Sequence, residues 1–148
     1  MRRMLHFDDL PEVLAEARRL ASSHHALGLW TLAQICRHLA DTIHGSMDGF
    51  DLRRHRIKRF FFHSLLLAYA YRWGIPKAYT VDPNLNPPEG LRLDDQIEAL
   101  ARAIQRYRDH TGPLQAHPLF GRLTRNEWNR MHCFHATHHL SFVLPGLS

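Results

Sequence analysis

At 148 residues, 45% hydrophobic and 22% charged, the chain has the size and balance of one domain, 1–148, with a single core; wholesale disorder is excluded. Its formal net charge of +5 admits acidic partners but is modest and spread along the sequence. The unusual figure is the 13 histidines, which make charge and any metal affinity steeply dependent on pH between about 5 and 8.

No opening apolar run has the length of a signal peptide, and no stretch approaches the roughly 18 apolar residues of a spanning helix. The best candidate, 60–73, is interrupted by His63 and Arg72. Cys36 and Cys133 make no disulfide framework. The expectation is a reduced, cytoplasmic protein with no membrane partner.

In chain order, Leu10, Val13, Leu14, Ala17, Leu20 and Ala21 recur at helical spacing, with Asp8 and Asp9 upstream and Pro11 in the first turn. A second helix opens at Thr31-Leu-Ala-Gln34, where the threonine hydroxyl and glutamine amide form a capping box. It runs through Ile35, His38, Leu39 and Ile43 towards Gly45 or Gly49. A third spans about 55–73 and stops at Gly74, with Pro76 beyond. The connection 75–90, rich in Pro and Asn, is longer than usual and a candidate for function. A fourth helix carries Leu93, Ile97, Leu100, Ile104 and Tyr107 on one stripe and stops at Gly112-Pro113. A fifth begins at a second capping box, Thr124-Arg-Asn-Glu127, and continues to about Leu144. Almost no strand is expected. Long amphipathic helices on short links argue for an all-α, up-and-down four-helix bundle with an additional short helix or long loop.

The last helix carries four histidines in eight residues, His132, His135, His138 and His139. His135 and His139 are four apart, so both imidazoles leave one side of a helix about one turn from each other and can reach one divalent ion. They sit at the edge of the stripe that holds Trp128, Met131 and Phe142. His132 and His138 lie beside them and are read as polar core positions or solvent-facing residues. The third ligand must come from elsewhere, and His38, mid-helix beside Ile35, Leu39 and Ile43, is the best candidate. Together the three make a site with open positions for water or substrate. Asp41 either orients a ligand from behind or is an exposed helix acid. Cys36 and Cys133 fall on other faces and are read as small buried hydrophobes.

The blocks Trp30-Thr-Leu-x-Gln34-Ile-x-x-His38-Leu-Ala, Gly74-Ile-Pro, His117-Pro-Leu-Phe-Gly121-x-Leu-Thr-x-x-Glu-Trp128 and His135-x-x-His138-His139-Leu cover nearly the whole chain. They resemble the DinB/YfiT-like superfamily, and within it a branch catalogued only as a domain of unknown function. The resemblance implies a four-helix bundle, often a homodimer. It also implies a divalent metal on one histidine of the second helix and a His-x-x-x-His pair of the last, which match His38, His135 and His139. A shift of register would pair His135 with His138 instead; a separation of four matches the family pattern. Characterised members of that superfamily include metal-dependent transferases and isomerases that use low-molecular-weight thiols. For this chain that implies a thiol S-transferase or hydrolase acting on a small molecule. Imidazole ligands suit nickel or zinc over manganese or magnesium.

Two rival readings stand beside it. One is a non-catalytic metal-binding or interaction module. The other is nucleic-acid binding through Arg53-Arg-His-Arg-Ile-Lys-Arg59 interleaved with Phe60 to Phe62. We favour a solvated loop and first helical turn for that run. The third helix, apolar over most of its circumference, is expected in the core or under a partner subunit.

Overall fold

The computed structural model describes residues 2–50, 86–118 and 120–146. The expected helix over 55–73, the basic run 53–59 and the connection as far as residue 85 lie outside the described residues. Those described form four helices and one small sheet: α1 (Leu10–Ala21), β1 (His24–Ala26), α2 (Leu32–Asp48), α3 (Leu93–Asp109), α4 (Arg125–Leu140) and β2 (Val143–Pro145). Among them, no helix is long and apolar enough to cross a membrane.

Local chemistry starts and stops these helices. Asp9 caps α1 by accepting from the Glu12 amide at 3.0 Å, and Pro11 sits in the first turn, where its missing N–H costs nothing. Both expected capping boxes form, Thr31 with Gln34 on α2 and Thr124 with Glu127 on α4. α2 ends at Gly49, which has φ 98° and donates its amide to the Gly45 carbonyl. That left-handed geometry favours glycine. α3 has no side-chain cap, but Asp94 and Asp95 in its first turn and Arg106 and Arg108 in its last oppose the helix dipole.

One core binds the helices. α1 contributes Leu10, Val13, Ala17 and Leu20, α3 contributes Ile97, Leu100, Ala103 and Ile104, and α4 contributes Trp128, Met131, Ala136 and Leu140. Of the described helices α2 is the most enclosed, with Leu32, Ile35, Cys36, Leu39 and Ile43 all buried.

The structure departs from the sequence reading at the C-terminus. α4 stops at Leu140, before Phe142, and residues 143–145 are a strand. A helix running to Leu144 would hold the residue before Pro145 in the helical region, which a following proline disfavours. Instead β2 pairs antiparallel with β1, His24 opposite Pro145 and Ala26 opposite Val143. The Leu27 amide extends the ribbon by donating to the Phe142 carbonyl at 2.8 Å. This ribbon ties the segment after α1 to the end of α4, and so brings the approach to α2 alongside the last histidines.

Candidate metal centre

Three histidines from two helices meet in one place. His38 projects from the middle of α2, and His135 and His139 from consecutive turns of α4. The His135 Nε2 lies 3.1 Å from the His38 Nε2 and 3.0 Å from the His139 Nε2. Their candidate ligand atoms all fall within 4.8 Å of one another. The three rings stand nearly edge-on to each other, at interplanar angles of 74°, 71° and 75°.

One N–H···N bond does not account for both short contacts of the His135 Nε2. A neutral imidazole carries a proton on one nitrogen only. Nitrogens facing each other in a trio cannot all be satisfied by sharing hydrogens among themselves. Protonating the rings is opposed as well. Burial, followed by the neighbouring His139 and His38, holds His135 well below the usual histidine value. Burial and the proximity of His38 and His138 push His139 down to about 3. At neutral pH these two imidazoles are therefore neutral, the form that ligates metal.

The donor set fits a divalent ion. Metal–nitrogen bonds of about 2.1 Å place nitrogens about 3.0 Å apart at a right angle and about 3.4 Å apart at the tetrahedral angle. The two short contacts have the first of these spacings. Three converging imidazoles, half-buried to buried, could hold a metal ion through ligand chemistry that suits zinc or nickel.

The other histidines of α4 do something else. His132 is buried, and its Nε2 lies 3.3 Å from the Ser46 Oγ. That hydroxyl donates to the Ile43 carbonyl at 2.6 Å, so it accepts from His132. The His132 ring stacks on Trp128 and meets Tyr107 edge-on, and burial, then His117, pushes it down to about 3. His138 is half-buried, edge-on to His139 and Phe142. His132 thus occupies a polar position in the core, and His138 a partly buried one beside His139.

Asp41 is an exposed acid, bound through both carboxylate oxygens to Arg37 at 2.9 and 2.8 Å. It points away from a ligand-orienting role. Cys36 and Cys133 are buried, and burial pushes their thiols up to about 12 and about 11, as expected of small hydrophobes. Sequence reasoning assigned no role to Trp30, which packs on both His38 and His139. Its place immediately before the α2 capping box was the available signal.

No curated protein and no solved structure matches the chain. One family model does, over residues 1–146, and its description is "Protein of unknown function (DUF1569)". With nearly the whole sequence covered, the chain belongs to that family.

Proposed function

We propose that this protein is a metal-dependent enzyme on a DinB-like up-and-down helical bundle, with one divalent ion held by His38, His135 and His139. The observation that carries the reading is the convergence of three Nε2 atoms, two pairs of them 3.0 and 3.1 Å apart. Zinc or nickel is the ion this donor set favours. A metal with open positions lowers the pKa of a bound water or thiol, or polarises a carbonyl. The chain's own part is to turn three imidazoles inward, two of which, His135 and His139, burial holds in the neutral form.

The reaction class that suits such a centre is transfer of a low-molecular-weight thiol to a small electrophile, or hydrolysis. A cytoplasmic homodimer is the assembly that goes with this reading. Metal analysis of protein purified without chelators tests the site. One ion per chain in the wild type and none in a His135→Ala variant is the expected result; no stoichiometric metal in either would overturn it. The reaction is tested separately, on metal-loaded protein, with a panel of electrophiles and several thiols. Absence of conjugation and hydrolysis across the panel would sink the catalytic part.

A further inference from the structure

His139 occupies the last turn of α4, one residue before the helix ends at Leu140. Terminal turns fray, yet a ligand imidazole has to keep its ring plane. Little on α4 itself can hold that plane, because His135 and His138 both meet His139 edge-on. What lies flat on the ring is the Trp30 indole, with centroids 5.3 Å apart and planes 13° apart. The same indole leans on His38, 4.9 Å away at 59°. One side chain therefore touches a histidine from each of the two helices that supply the centre.

Trp30 is itself held from both directions along the chain. Upstream, the β1–β2 ribbon and the bond from the Leu27 amide to the Phe142 carbonyl fasten its approach to the end of α4. Downstream, the Thr31 amide donates to the Gln34 Oε1 at 2.9 Å, and the Gln34 amide returns to the Thr31 hydroxyl. The Gln34 Nε2 reaches on to the Pro87 carbonyl at 3.2 Å, which anchors this cap to the loop before α3.

We propose that Trp30 is a positioning residue for the imidazole trio: its indole fixes the ring planes of His139 and His38 with their Nε2 atoms turned inward. The consequence for metal rests on the reading given under Proposed function; the ring geometry does not. Groups that orient metal ligands typically cost about 10- to 100-fold in metal affinity when removed, and aromatic contacts depend on the ring and not only on apolar bulk.

The test compares Trp30→Leu, which keeps bulk without a ring, with Trp30→Phe, which keeps a ring. Zinc affinity is measured by chelator competition, and the cobalt-substituted absorption spectrum reports ligand geometry. The ring-proton shifts of His139 are read by NMR on the metal-free chain. We expect Trp30→Leu to bind zinc at least about tenfold more weakly, to alter the cobalt spectrum, and to lose the upfield shift that the indole face imposes on His139. Trp30→Phe should restore most of the affinity and part of the shift. Equal affinities and spectra for the two variants, or an unchanged His139 shift in Trp30→Leu, would overturn the proposal. If the wild type binds no metal, the metal reading fails and the His139 shift alone decides the positioning role.

Discussion

His132 and His135 lie three residues apart on one helix, and their surroundings divide them completely. His132 has a donor–acceptor chain through Ser46 to the Ile43 carbonyl, and aromatic walls in Trp128 and Tyr107. Its polar edge is matched by protein. His135 faces two other imidazole nitrogens at 3.0 and 3.1 Å, more than one N–H···N bond can match, and the three together could hold a metal ion. The lesson is that a buried histidine is classified by what meets its nitrogens. Burial, complete for His132 and partial for His135, holds both imidazoles below the usual histidine value.

That contrast predicts opposite outcomes from the same substitution. His135→Ala removes the ring common to both short contacts. Metal affinity should fall beyond the roughly 100-fold that loss of an orienting group costs, leaving no stoichiometric ion by elemental analysis. His132→Ala should leave binding at the proposed three-histidine site unchanged but lose about 2–4 kcal/mol of stability, since it empties a packed site and removes the donor to Ser46. Chemical denaturation of the metal-free proteins measures this. Full metal occupancy in His135→Ala, or its loss in a folded His132→Ala, would erase the distinction.

The pH dependence of stability gives a smaller, signed effect. His132 sits at about 3 in the folded chain, against about 6.5 for an unperturbed histidine. Between those values the unfolded chain binds a proton there and the folded chain does not, so stability falls as pH drops below about 6.5. A His132→Phe variant cannot bind that proton. Its stability should decline less steeply between pH 6 and 4, by up to about 1.4 kcal/mol per pH unit. Parallel curves for wild type and variant would show that His132 is not held neutral by its surroundings.

How far the sequence disclosed this site follows from the range of each signal. The spacing of His135 and His139, and the position of His38 beside an apolar stripe, are helical periodicities, and periodicity survives folding. The two capping boxes were legible for the same reason. Trp30 was not, because it precedes α2, and its place over His139 depends on residues 24–26 pairing with 143–145. Strands of three residues are too short to show alternation, and His24-His25-Ala26 has no strong strand preference. Asp41 was left open although Arg37, four residues earlier, offered it a partner on the exposed face.

The smallest expected effect lies where the N-terminal segment meets the end of α4. The Arg3 guanidinium pairs with Glu16 at 2.6 Å and donates to the Leu140 carbonyl at 3.3 Å, and the Arg3 amide donates to the Ser141 carbonyl. Burial pushes the Glu16 carboxyl up, but hydrogen bonds from Arg19 and Arg3 outweigh it and hold the group below its usual value. Stability from that depression is present above the ordinary carboxylate range and is lost as pH falls through the folded value. Arg3→Ala removes one of the two arginines and the bond to Leu140, at about 1 kcal/mol at neutral pH. The difference from wild type should narrow as the solution is acidified through Glu16's folded value, because the lost ion pair then no longer counts. A gap that widens on acidification would assign Arg3's contribution to something other than the Glu16 carboxylate.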